Sequence, residues 1–185
     1  IRGNRLVLSG LNLRVAAGEL VWVRGANGCG KSTLLRVIAG LLNSTSGEVR
    51  ADGRLALADE NLALDPNLTV SDALRFWAHM DGASPSERDA ALTAMDLVSL
   101  SDVPVRYLST GQRKRASIAR VLASGCAIWL LDEPYNGLDS ASCAHLDKAI
   151  LSHVGAGGIV MLAAHQSPSI TVSDSLVLDM KGRNL

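Results

Sequence analysis

Two glycines separated by four residues, then a lysine and a hydroxyl, stand in the run Gly25-Ala26-Asn27-Gly28-Cys29-Gly30-Lys31-Ser32, with Thr33 next. Glycine backbone turns with φ > 0 and lets successive N–H groups close on an anion. A helix starting directly afterwards adds unsatisfied N–H groups and the positive end of its dipole. The chemistry of this pattern is a grip on a polyphosphate: residues 25–33 form the cradle, Lys31 reaches the β- and γ-phosphates, and Ser32 offers its hydroxyl to Mg²⁺.

A second group of chemical residues follows the apolar run Cys126-Ala127-Ile128-Trp129-Leu130-Leu131, which ends in Asp132-Glu133. A carboxylate just past the carboxyl end of a buried strand can hold Mg²⁺ through its water shell, the role expected of Asp132. Glu133 is then placed to orient and deprotonate a water beside a γ-phosphate. His165 follows the apolar run 159–164 in the same way, so it is expected on the same sheet rim, hydrogen-bonded to the γ-phosphate. Singly, these are a Gly-rich turn, a solvated acidic turn and a structural histidine; together they outweigh those plainer readings.

The elements that must carry these groups can be read from apolar periodicity. Residues 6–8 and 11–15 alternate like short strands leading into 20–23, and an amphipathic helix is expected over 33–42. Residues 48–51 and 54–58 read as a strand pair around Asp52-Gly53. From Thr69 the period becomes helical, with Leu74, Trp77, Ala78 and Met80 on one face. Ser84-Pro85-Ser86-Glu87 is a capping box opening a second helix to about Leu97. Ser109 and Gln112 form another box, opening a helix with Lys114, Arg115 and Arg120 on its polar side. A strand at 126–131, a helix at 141–153 and strands at 159–164 and 175–179 complete an alternating α/β pattern. The whole, 1–185, is expected to be one domain, with a core of about 1–68 and 125–185 and a small helical subdomain of about 69–124.

Composition narrows the partners. Lys+Arg and Asp+Glu balance at 18 each, so no basic field argues for nucleic acid. Aromatic content of 3% argues against stacking platforms for single strands. No apolar run approaches the ~18 residues of a membrane span, and the opening Ile1-Arg2-Gly3-Asn4 has no signal-peptide core, so a cytoplasmic location is expected. Cys29, Cys126 and Cys143 form no C-x-x-C pair and read as reduced thiols. His79, His145 and His153 are scattered, and no haem ligand is placed in the chain.

Taken in order, the glycine loop, the helical segment, Leu108-Ser109-Thr110-Gly111-Gln112, the strand ending in Asp132-Glu133, Gly137-Leu138-Asp139 and His165 resemble the ATP-binding cassette (ABC) ATPases over essentially the whole chain. Leu-Ser-Thr-Gly-Gln is similar to that family's Leu-Ser-Gly-Gly-Gln signature, with Thr110 in place of a glycine. The resemblance implies a phosphate-loop α/β fold with a mostly parallel sheet core, an antiparallel β entry and a small helical subdomain. It implies ATP and Mg²⁺ as cofactors, Asp139 as the D-loop aspartate and His165 as the switch histidine. It also implies a second copy of the chain paired head to tail. Each ATP would lie between the glycine loop of one copy and Ser109, Gly111 and Gln112 of the other, where a helix N-terminus suits a further γ-phosphate contact.

Two positions depart from the family pattern. Its Q-loop glutamine is missing, with Glu60 or Asn61 nearest, and its adenine-stacking aromatic is replaced near the amino end by Arg2. Residues 129–139, 157–160, 164–166, 2–5 and 68–70 resemble, within the family, the ATP-binding subunits of the cytochrome c maturation system. That implies ATP hydrolysis on the cytoplasmic face of the bacterial inner membrane, by a peripheral subunit docked on integral membrane subunits, driving haem export or delivery. ABC ATPases exporting a drug, peptide or lipid, a soluble ABC ATPase, and an ordinary phosphate-loop kinase or GTPase stand as alternatives at this point.

Overall fold

The computed structural model describes residues 7–165, 170 and 175–180. Its centre is a five-stranded sheet of β1 (Leu20–Arg24), β2 (Leu55–Ala58), β3 (Ile128–Asp132), β4 (Ile159–Ala163) and β5 (Ser175–Asp179), in the order β2-β3-β4-β1-β5. Every pairing is parallel, and Val23, Ala163 and Asp132 stand level across neighbouring strands. Strands buried on both faces read as unbroken apolar runs, and β3 is buried at all five positions.

The two-residue period of the strands divides the core. Leu20, Trp129, Leu131, Val160 and Leu162 face one cluster, while Val21, Val23, Ile128, Leu130, Met161 and Ala163 face the other. Helix α1 (Lys31–Ile38) covers the second face through Leu34 and Leu35. The chain between β2 and β3 folds as α2 (Val70–Met80), α3 (Pro85–Ala94) and α4 (Thr110–Leu122), which pack on one another. With α5 (Ser140–Gly155) they bury Leu74, Ile118, Val121, Leu146 and Ile150 on the first face.

The expected antiparallel entry is absent from the described residues: 7–19 contain no strand. Leu8, Leu11 and Val15 pack on the second cluster while residues 12–14 are exposed, so the segment contributes apolar contact without a ladder. The strand pair around Asp52-Gly53 is likewise not formed. Residues 48–54 are exposed, Val49 included, and β2 instead pairs with β3. Helix α1 begins two residues earlier than expected and ends at Ile38, with Gly40 at φ 73° beyond it and Leu41 exposed. Met80 also faces solvent, 64% exposed, off the apolar face of α2.

Both capping boxes form as read: Ser84 with Glu87 at α3 and Ser109 with Gln112 at α4. Arg120, expected on the polar side of α4, is buried. Its guanidinium donates to the Leu57 carbonyl and lies 4.9 Å over the Trp77 ring, tying α4 and α2 to the end of β2.

Candidate functional site

At the carboxyl edge of the sheet, β4 stands between β1 and β3, so the loops after these three strands share one rim. The loop after β1 turns through left-handed backbone at Gly28 (φ 80°) and Gly30 (φ 105°). A Cβ on Gly30 would also lie 2.9 Å from Val7 Cγ1. Gly30 is the N-cap of α1, which has no side-chain cap and no acidic residue in its first turn. Its leading N–H groups are therefore left for an anion.

Lys31 is 5% exposed, and its Nζ donates to the carbonyls of Gly25 (2.9 Å) and Ala26 (3.5 Å). The same Nζ lies 3.3 Å from Glu133 Oε1. Glu133 Oε2 accepts from the backbone N–H of His165 at 3.3 Å, so groups from the loops after β1, β3 and β4 meet on one carboxylate. Glu133 has φ 45°, a left-handed conformation that costs on the order of 1–3 kcal/mol in a non-glycine residue. Its N–H is tied to the Ala163 carbonyl at 2.8 Å.

Asp132 ends β3 with its carboxyl group buried, hydrogen-bonded by Ser32, and its Oδ1 has no hydrogen-bond partner among the described residues. Burial pushes this carboxyl above the ordinary range, against the Ser32 hydrogen bond, and the neighbouring Glu133 charge adds to the rise. Lys114 of α4 donates to the Asp132 carbonyl at 3.4 Å, and burial holds its ammonium below the ordinary lysine range.

A cleft of about 480 Å³ opens beside these groups, lined by Asn27, Gly28, Gly30, Lys31, Ser32, Thr33, Glu60 and Glu133 among others. It combines backbone donors, a buried cation, a hydroxyl and a carboxylate, the set needed to hold a triphosphate and activate a water. Cys29 lies in the loop but is 8% exposed, turned into the core with Met180. Of the two candidates for the missing glutamine, Glu60 reaches the cleft and pairs with Arg36 at 3.0 Å. Asn61 turns away, its N–H and Nδ2 both donating to Asp59. Arg36 also holds Asp59 at 2.9 Å, an ion pair anchoring the loop after β2 to α1 that sequence spacing alone did not reveal.

Ser109, Gly111, Gln112 and Asp139 do not line this cleft. Ser109 Oγ accepts from Gln112 N–H (3.2 Å) and Gln112 Oε1 accepts from Ser109 N–H (2.8 Å), an exposed helix corner. Asp139 caps α5, accepting from Ser142 N–H at 2.8 Å; Ser142 holds its carboxyl below the ordinary range. A Cβ on Gly111 would come within 3.1 Å of the Gly137 carbonyl, so the α4 corner and the loop carrying Asp139 touch closely. Arg2 lies outside the described residues, as do residues 3–5 and 166 of the subfamily resemblance.

The ABC transporter family model matches residues 8–136. The chain is 51% identical over 178 residues to the cytochrome c biogenesis ATP-binding export protein CcmA of Sphingopyxis alaskensis, covering 96% of this chain and 92% of that protein. It is 52% identical over 165 residues to the protein of the same name from Novosphingobium aromaticivorans, covering 89% and 84%. Among solved structures it is similar in fold to an ABC transporter ATP-binding protein of Pyrococcus furiosus, with TM-score 0.85, 24% identity and coverage of 98% and 94%. It is also similar to a dimeric ATP-binding cassette in a post-hydrolysis state bound to ADP and Pi, with TM-score 0.79, 26% identity and coverage of 86% and 80%.

Proposed function

Because the chain belongs to the ABC transporter family, we propose that it is the ATP-binding and hydrolysing subunit of the export complex that serves cytochrome c biogenesis, with haem export or delivery as the work done. The observation that carries the catalytic part is the meeting of Lys31, Glu133 and the His165 N–H beside the glycine loop. Residues 25–33 hold the triphosphate, and Lys31 leaves its carbonyl and carboxylate partners for the β/γ oxygens. Glu133 accepts a proton as the water oxygen bonds to the γ-phosphorus and the bond to the ADP oxygen breaks. His165 stands where its side chain can hydrogen-bond the γ-phosphate.

The donor set at Asp132 and Ser32 fits Mg²⁺: a hydroxyl beside a buried carboxylate oxygen that has no partner among the described residues is a hard-oxygen site. When bound there, the ion neutralises charge on the phosphate oxygens. Glu60, on the cleft wall, takes the place of the missing glutamine. We assign Ser109, Gly111, Gln112 and Asp139 to the nucleotide held by a second copy. The core of about 1–68 and 125–185 holds the phosphates, and the helical subdomain of about 69–124 meets integral membrane subunits.

No helix among the described residues is long and apolar enough to cross a membrane. A peripheral place on the cytoplasmic face of the inner membrane is part of the same proposal. Lys31→Ala weakens ATP binding at least tenfold by the loss of a buried charge contact, and Glu133→Gln keeps binding while arresting turnover. Equilibrium ATP binding and phosphate release on the two variants check this, and a Glu133→Gln protein hydrolysing at the parent rate removes the base. Loss of c-type cytochromes in cells carrying Lys31→Ala tests the physiological role.

A further inference from the structure

The seven residues 133–139 join β3 to α5 and begin with Glu133 in left-handed backbone. A strained conformation persists only where its surroundings over-determine it. One end of the loop is held by the contacts of Glu133 with Ala163, Lys31 and His165, and the other by Asp139 capping α5. Between them, Asn136 N–H donates to the Glu133 carbonyl (3.3 Å) and Leu138 N–H to the Tyr135 carbonyl (3.2 Å). These bonds knit the loop to itself without fixing where it lies. Side chains do fix it: Pro134 is buried, Leu138 and the half-buried Tyr135 pack against the core, and the Tyr135 hydroxyl adds a directed tie, donating to Asp147 Oδ1 of α5 at 2.5 Å.

We propose that the Tyr135–Asp147 hydrogen bond is a latch that sets the aim of Glu133, making Tyr135 a positioning residue for ATP hydrolysis. The inference rests on Glu133 being the base. Tyr135 is two residues from Glu133, and the same loop places the Gly137 carbonyl against Gly111. One phenol therefore orients both the carboxylate in the cleft and the loop against the α4 corner. Burial, and then the Asp147 carboxylate, push the phenol above its ordinary range, which favours the protonated hydroxyl that donates this bond.

The test is steady-state ATPase kinetics on the full chain for Tyr135→Phe, Asp147→Ala and the double variant. Tyr135→Phe keeps the ring and its packing, so kcat falls about tenfold with KM for ATP within about twofold of the parent, as expected for lost orientation rather than lost binding. Asp147→Ala breaks the same bond from the helix side, so a folding defect in one variant leaves the other to decide. The double variant is no slower than the slower single one, because both remove one interaction. Parent-like kcat in the folded variants, a raised KM at unchanged kcat, or effects that multiply in the double variant overturn the latch. Glu133→Gln runs alongside: if it turns over at the parent rate, base and latch both fall, and if it is arrested while Tyr135→Phe is parent-like, the latch alone falls.

Discussion

His153 stacks its imidazole on Trp129 with ring centroids 3.7 Å apart and planes 7° off parallel, and its Nε2–H donates to the Ala127 carbonyl at 3.1 Å. The stack needs a glycine at 158, where a Cβ would come within 2.2 Å of the ring. Burial holds the histidine pKa below its ordinary 6.5, with the Ala127 hydrogen bond working the other way. The unfolded chain therefore takes up the proton first as pH falls. His153 contributes stability above pH 6.5 that is lost as pH drops toward its lower folded value. Urea-unfolding midpoints are expected to fall from about pH 7.5 to about 5.5 in the parent, and less steeply in His153→Phe, which keeps a stacking ring but cannot titrate. Equal slopes in the two proteins refute the assignment.

At the level of elements, two helices with the same start are expected to differ in duty. Ser84 opens α3 and Ser109 opens α4, each with a reciprocal box to the residue three further on. Replacing either serine by alanine is expected to cost about 1 kcal/mol in urea unfolding, the ordinary value of an N-cap. Only Ser109→Ala is expected to lower ATPase activity as well, because the α4 corner meets the loop carrying Glu133 and Asp139 and, in the proposed dimer, the partner's nucleotide. Equal activity losses in the two variants would assign both caps to stability alone. Burial of Arg120 shows how an element can mislead. A cation at a helical position reads as solvated, yet the Leu57 carbonyl and the Trp77 face supply an acceptor and a π surface inside the molecule.

For the whole molecule, the cleft and the Ser109–Gln112 corner are separate places on one chain, which is the arrangement a head-to-tail pair needs. Glu133→Gln is expected to double its mass in light scattering on addition of ATP with Mg²⁺ and to return to monomer when nucleotide is removed. A protein that binds ATP and stays monomeric at micromolar concentration rejects the sandwich. The glycine loop, the capping boxes, the buried strands β3 and β4 and the span of β5 were legible, because each is written in a short continuous stretch of at most eight residues. Among the described residues, neither a strand of the antiparallel entry nor the pair around Asp52-Gly53 forms. Short alternating runs carry no information on which strand they join, and β2 is taken by β3.

What the sequence by itself determined is the chemistry: a phosphate loop, a carboxylate pair after a buried strand and a histidine after the next, all specified by local spacing. Only the tertiary structure decided which of them meet. The order β2-β3-β4-β1-β5 puts β4 between β1 and β3, so that Lys31, Glu133 and His165 share a rim. Strand order is set by burying both sheet faces at once, a property of the whole chain. The same holds for the ties that aim the site, Arg36 to Asp59 and Tyr135 to Asp147, which join residues 23 and 12 apart that only the packing of helix on sheet brings together.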